Sequence, residues 1–205
     1  MKDNIMKIVL ATHNRDKIKE LKAAFGGTNT ELLTFDHFPG MPDVVEDGET
    51  LEKNAQKKAT EIYHYTGLPA LADDTGLEVR ALNGAPGVKS SRYAGEGVTY
   101  AQNVEKLLFE LREISPEQRE ARFRTVMVYF DGKNTIKTEG CVQGRILTGA
   151  AGTGGFGYDP IFYYPPLKKT FSELNIEEKN QISHRGKALF KMIDALCEMN
   201  LIKEV

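Results

Sequence analysis

"MKIVLATHNRDKIKELKAAFGG", Met6 to Gly27, is the stretch whose reading decides the class of fold. MKIVLAT, Met6 to Thr12, is a short apolar run rich in β-branched residues, which predicts a buried strand. Directly after it, Ile18, Leu21, Ala24 and Phe25 recur at helical spacing, and Gly26-Gly27 stops the pattern. A strand, a polar turn and a helix in immediate succession open an α/β unit.

The alternation continues outward from there. ELLTF, Glu31 to Phe35, predicts a second strand. A loop rich in Pro, Gly and acid, Pro39 to Gly48, leads to a helix from about Thr50 that buries Leu51, Ala55, Ala59 and Ile62 and ends at Gly67. ALADD, Ala70 to Asp74, reads as a buried strand running into two carboxylates, and LEVRAL followed by NGAPG reads as strand and turn. Thr99 with Gln102 predicts a capping box, and Ser115-Pro116-Glu117-Gln118 a second one with proline at the first helical position. Asp131-Gly132 between two strand-like runs signals a hairpin. The last helix is predicted from about Ser183, burying Leu189, Met192, Ile193, Leu196 and Met199. The fold class is therefore α/β with a mixed β-sheet and flanking helices.

Composition narrows the function classes. At 205 residues, with 27% charged and 40% hydrophobic residues, this is an ordinary globular chain, long enough for one large domain or two small lobes. A formal net charge of −2 argues against a nucleic-acid polymer as partner, since phosphate-backbone binders carry a basic stripe. Pairs such as Lys57-Lys58 and Lys168-Lys169 are too short to change that and read as solvated faces, although one lysine on a helix could reach a small anion. Cys141 and Cys197 lie far apart in no metal spacing, which fits a reducing cytoplasm. The apolar run Ile8 to Ala11 is too short for a signal peptide or a membrane span, and Met1 to Ile5 reads as an extension before the first strand.

AGTGGFGYDP, Ala151 to Pro160, contains a literal G-x-G-x-x-G at Gly152, Gly154 and Gly157. A dinucleotide fingerprint needs a strand before it and a helix opening at its end. Here Thr148-Gly149 breaks the preceding segment, and prolines at 160, 165 and 166 oppose a helix after Gly157. What survives is a permissive loop whose amides can approach a ligand, or else a plain surface loop.

Three constellations could carry chemistry. In THNRDK, Thr12 to Lys17, a hydroxyl, an amide and a lysine surround a helix N-terminus, the parts of an anion site; a simple Asn or Thr cap is the commoner fate of such residues. Asp73-Asp74 at the end of an apolar strand repel each other and lose solvation, so a positive partner is expected, with Mg²⁺ on hard oxygens one solution and an Asx turn the alternative. Glu46, in VEDGET, is the candidate for a further ligand. In EEKNQISHRGKAL, Lys179, His184 and Arg185 flank a helix N-terminus, where positive charge opposes the helix dipole and suggests an anionic or carbonyl partner. A surface salt bridge is the bland alternative.

Taken together, ATHNRDKIKEL, LADDTGLEV, GAPGVKSSRYAGE, GTGGFGYDPIF and ISHRGKAL, in this order, resemble the inosine triphosphate pyrophosphatase family, the XTP/dITP diphosphatases. The resemblance runs from Lys7 to about Leu196. It implies one domain over residues 1–205, with an elongated mixed sheet in two lobes around a central nucleotide cleft, usually as a cytoplasmic homodimer. It implies Mg²⁺-dependent hydrolysis of XTP, ITP and dITP to monophosphate and pyrophosphate. Thr12, Asn14 and Lys17 would hold the triphosphate, within a substrate loop that includes His13, Arg15 and Asp16, and Lys58 would assist. Glu46 and Asp74 would ligate Mg²⁺, and Asp74 matches the general base, although either Asp73 or Asp74 could serve on the residues alone. Thr75 matches a substrate contact usually filled by Ser. Phe156, Gly157, Tyr158 and Asp159, with Lys179, His184 and Arg185, match the base pocket. His13 stands where many relatives carry a small residue. The alternatives are a Maf-type nucleoside triphosphate pyrophosphatase with another base preference, and a nucleotide-binding sensor, which would have no need of Asp73-Asp74 with Glu46.

Overall fold

The first strand, β1 (Met6–Leu10), is fully apolar at its end, and Asn14, four residues on, caps α1 (Arg15–Phe25): its side-chain oxygen accepts from the amides of Asp16 and Lys17 at 3.0 and 3.2 Å. The computed structural model describes residues 5–204. Of the expected extension before β1, only Ile5 falls among them, and it is exposed. After α1 come β2 (Thr30–Leu33), α2 (Leu51–Thr66), β3 (Ala70–Val79) and β4 (Pro86–Gly87). Then follow α3 (Tyr100–Glu110), β5 (Glu120–Phe130), β6 (Thr135–Ile146), β7 (Phe162–Tyr164), β8 (Lys169–Thr170), α4 (Ile176–Ile182) and α5 (His184–Glu198). Strand order is β2-β1-β3-β5-β6-β7-β8, with β4 paired to β3. β1 runs parallel to β2 and β3, whereas β3–β4, β6–β7 and β7–β8 are antiparallel, so the sheet is mixed as expected.

The chain divides into two compact units. One comprises the chain through Asp74, Thr125–Gly140 and the residues from Arg185 on; the other comprises Thr75–Arg124 and Cys141–His184. In the first, Ile8, Leu10 and Leu71 of the sheet pack against Ile18 and Leu21 of α1 and Leu189 and Met192 of α5. Each fully buried Leu or Ile of that layer contributes about 1.5–3 kcal/mol relative to exposure. α2 buries Leu51, Ala55, Ala59 and Ile62, is capped by Thr50, and ends on Gly67 in the left-handed region at φ 68°. In the second unit, Leu77, Phe123, Phe162, Phe171, Leu107 and Tyr158 form the core. α3 opens with the expected Thr99–Gln102 capping box.

Several local expectations need correction. ALADD and LEVRAL are not two strands, because β3 runs unbroken through Thr75 and Gly76. ELLTF ends early, since Phe35 opens a single 3-10 turn. Ser115 to Gln118 is likewise one 3-10 turn with no side-chain cap on a backbone amide. Met199 is 44% exposed, because α5 has already ended at Glu198. Lys58 is not on a solvated face but buried, whereas Lys57 follows that reading with an exposed pair to Asp47 at 2.8 Å. No helix among the described residues is long and apolar enough to cross a membrane.

Candidate active site

β3 delivers Asp73 and Asp74 at adjacent positions, and strand alternation sends them to opposite faces. Asp73 shares its face with Leu71, on the side packed by α1 and α5. There its Oδ2 meets Lys17 Nζ at 3.1 Å and Arg185 Nε at 3.2 Å. Arg185 in turn donates through Nη1 to Glu20 Oε2 at 2.6 Å. Arg185, Asp73 and Glu20 are all buried, so two carboxylates and two cations neutralise one another away from solvent. Burial would raise the Asp73 carboxyl, but Lys17, then Arg185 and Lys58, hold it far below the usual carboxylate range. Burial lowers the Lys17 ammonium, against the opposing pull of Asp73.

Asp74 faces α2. Its Oδ2 accepts from Asn54 Nδ2 at 3.0 Å, and its Oδ1 lies 3.6 Å from Lys58 Nζ. Lys58 also donates to the Asp73 carbonyl at 2.6 Å and is paired with Glu46. One buried ammonium therefore stands against the carboxylates of both Glu46 and Asp74. Burial raises the Asp74 carboxyl, and Glu46 adds to this against the opposing Lys58. Glu46 itself is lowered, because Lys58 and Lys17 overcome the burial that would raise it. The two neighbouring aspartates are thus shifted in opposite directions, Asp73 downwards and Asp74 upwards, by what each meets on its own face of the strand.

Glu46 and Asp74 offer hard oxygen donors of the kind a divalent cation such as Mg²⁺ takes, with Lys58 paired to both. Among the described residues no group of three His, Cys, Asp or Glu side chains converges as a metal cage.

In the stretch from Thr12 to Lys17 it is the capping role that is observed. Thr12 Oγ1 accepts from the Asn14 amide at 3.1 Å, and Asn14 caps α1, so the loop is set by its own side chains with a helix N-terminus behind it. His13 lies 5.0 Å from the Phe35 ring and 3.5 Å from Asp43. Arg15 is exposed over the same ring at 4.8 Å and pairs with Asp36, and Asp16 pairs with Lys19. Within this loop the Lys17 side chain reaches Asp73.

In the second unit, the glycine loop ends in a built cluster. Asp159 Oδ2 accepts from the Phe156 amide at 2.8 Å and is paired with the buried Lys179 of α4. The Lys179 ammonium also lies 4.6 Å over the Phe156 ring. Gly155 has φ 68°, and a Cβ there would meet Asp159 Oδ2 at 2.3 Å, so this position demands glycine on both counts. Tyr158 is buried and donates to the Ser90 carbonyl at 3.0 Å, and Gly157 turns at φ 61°. His184 stacks on Phe123 at 4.4 Å, and Thr75 lies within β3. Gly157 opens a turn and then β7, not a helix, which agrees with rejecting a dinucleotide fingerprint. Arg185, grouped in the sequence with Lys179 and His184, directs Nε and Nη1 at Asp73 and Glu20 in the first unit.

Two residues of the first centre escaped the sequence reading, Glu20 and Asn54. Both carried a signal. Asn54 falls on the stripe of Leu51, Ala55 and Ile62, and Glu20 adjoins Leu21 on the inward side of α1; a polar residue at a core position needs a partner.

The fold and this centre define a class: an α/β protein with a lysine–carboxylate site formed by a helix N-terminus and the middle of the long strand β3. The sequence matches the Ham1 family over residues 8–195, and the chain belongs to that family. It is 48% identical over 201 residues to a dITP/XTP pyrophosphatase of Desulforamulus reducens, covering 98% of this chain and 100% of that one. A dITP/XTP pyrophosphatase of Geobacter sulfurreducens is 46% identical, with 93% and 96% covered. Among solved structures, a HAM1 protein from Coxiella burnetii superimposes with a TM-score of 0.85 at 40% identity, covering 94% of this chain and 99% of that one.

Proposed function

We propose that the chain hydrolyses dITP, XTP and ITP to nucleoside monophosphate and pyrophosphate. The observation that carries the reading is the division of labour between Asp73 and Asp74. Asp73, neutralised by Lys17 and Arg185, anchors the lysine of the phosphate loop. Asp74, raised by burial, is suited to take a proton from water at Oδ1 while Oδ2 is held by Asn54. This favours Asp74 over Asp73 as general base.

Lys17 and the α1 N-terminus bind and orient the triphosphate, and Lys58 draws Glu46 and Asp74 together. Glu46 and Asp74 would hold Mg²⁺, which when bound supplies neutralisation of the charge developing on phosphate oxygens. Attack at the α-phosphorus accounts for pyrophosphate as leaving group. For the base, the second unit offers the Phe156 face and the Lys179 donor. A 6-keto purine presents an acceptor where a 6-amino purine presents a donor, and such a mismatch discriminates by roughly 10²- to 10⁵-fold. The reading carries with it one catalytic domain over residues 1–205, a cytoplasmic location and a homodimer, as expected from the family resemblance.

The test is product analysis with Mg²⁺ and a panel of dITP, XTP, ITP, ATP and GTP. Monophosphate plus pyrophosphate from the first three, with ATP and GTP much slower, is expected. Orthophosphate plus a diphosphate, or equal rates on ATP, overturns the reading. Asp74→Asn keeps an acceptor for Asn54 and should lower kcat by about 10²- to 10⁴-fold with the fold intact.

A further inference from the structure

Asn54 is 1% exposed and uses both ends of its amide. Its Oδ1 accepts from the Gly48 amide at 2.7 Å, and its Nδ2 donates to Asp74 Oδ2 at 3.0 Å. One side chain on a rigid helix therefore joins the acidic loop carrying Glu46 to the middle of β3, which carries Asp74. From the loop side the fit is equally close. A Cβ on Gly48 would lie 2.6 Å from Asn54 Oδ1 and 2.9 Å from Lys53 Cβ, so only glycine lets the loop approach.

We infer that Asn54 is a positioning residue that holds Glu46 and Asp74 at the separation and orientation in which they accept a divalent cation. The inference rests on the reading of these two carboxylates given under the proposed function. Its physical basis is the pairing of a donor and an acceptor on one short, buried group. By engaging Oδ2, the Nδ2 donor turns Oδ1 of Asp74 to the side of Lys58 and Glu46. By accepting from Gly48, Oδ1 of Asn54 restrains the loop two residues from Glu46, a segment without regular structure from Met41 to Gly48. Lys58 supplies charge to the same pair but cannot fix the plane of either carboxylate, because an ammonium is a point charge with rotatable donors. The amide supplies direction, and partners that orient metal ligands from behind are worth about 10- to 100-fold in affinity or activity.

The experiment uses the full chain, free of nucleotide, with Mn²⁺ as probe. Mn²⁺ binding is followed by water proton relaxation in wild type, Asn54→Ala and Gly48→Ala, beside thermal melts and steady-state kinetics on dITP. Both variants should weaken Mn²⁺ binding about 10- to 100-fold. Both should lower kcat at saturating metal more than they raise KM for dITP, since the triphosphate contacts on α1 are untouched. Gly48→Ala reaches the same amide from an irregular loop, so the comparison holds even where Asn54→Ala folds poorly. Variants that melt lower but keep wild-type Mn²⁺ affinity and kcat would make Asn54 only a satisfied core amide and overturn the inference. An effect on KM alone would do the same. Failure of the functional reading shows separately, as the wrong products from wild type, and leaves the Mn²⁺ comparison interpretable.

Discussion

Replacing Arg185 by Met tests whether the buried charges around Asp73 act as a unit. Arg185 is 2% exposed and Glu20 4%, and no solvent is at hand to take over when the guanidinium goes. Asp73 keeps Lys17 at 3.1 Å, but Glu20 loses its 2.6 Å partner. Removing one member of a buried pair costs about 3–5 kcal/mol, because the other charge stays behind unsolvated. For a chain of this length each kcal/mol lowers Tm by roughly 2–4 °C, so a drop of roughly 6–20 °C is expected. Glu20→Met should cost a similar amount. The double variant, with both charges replaced by apolar groups of similar reach, should lose about 1–3 kcal/mol less than the two single losses summed. The assay is a double-mutant cycle in urea with parallel thermal melts, and a coupling of about 1–3 kcal/mol is expected. A single Arg185→Met variant melting within about 2 °C of wild type would refute the reasoning, as would strictly additive losses.

Two other outcomes follow from the same geometry. Asp73 has its carboxyl held below the ordinary 3.8, so the folded state binds fewer protons than the unfolded one. Its contribution to stability is complete above the unfolded value and is lost as pH falls towards the folded one. Asp73→Asn should therefore flatten the fall of the urea midpoint below about pH 4, and an unchanged slope would rule this out. Gly155→Ala forces a left-handed φ on a side chain and pushes a Cβ against Asp159. It should lower kcat/KM for dITP while Mn²⁺ binding stays at the wild-type level; loss of Mn²⁺ binding would refute the assignment of that loop to the base.

How far the molecule was legible in its sequence depended on whether the signal was local. Strand, capped helix and glycine stop in Met6 to Gly27 are local, and β1 and α1 lie where expected. The Thr99–Gln102 cap is local too. ALADD and LEVRAL read as two strands because the acids, Thr75 and Gly76 between them carry no apolar signal, while the backbone there is satisfied by strand neighbours far off in the chain. Glu46, Asp74 and Lys17 could be named from residue types; Lys17 pairs with Asp73, and Lys58 stands against both Glu46 and Asp74. Glu20 and Asn54 could not be named in that way, since their meaning comes from partners on another element. Burial of Lys58 follows from the same stripe that buries Ala55 and Ile62, a pattern visible in the sequence but assigned to apolar residues alone. Arg185 is the opposite case: its residue type invited a ligand, and its distances give it Asp73 and Glu20.

The pairing of β3 with β1, Val9 opposite Ala70 and Leu10 opposite Leu71, has a consequence for how the strand is kept in place. Ala70, Leu71 and Ala72 are all buried, so both faces of the strand are apolar here and in-out alternation alone does not set the register. The acids remove that degeneracy. One step along the strand would carry Asp74 to Lys17 and Arg185, and would bring the hydroxyl of Thr75 to Asn54 and Lys58. The Asp-Asp dipeptide thus acts as a detent, admitting one alignment of an otherwise slippery strand, and the residues proposed for the chemistry are also those that index the sheet.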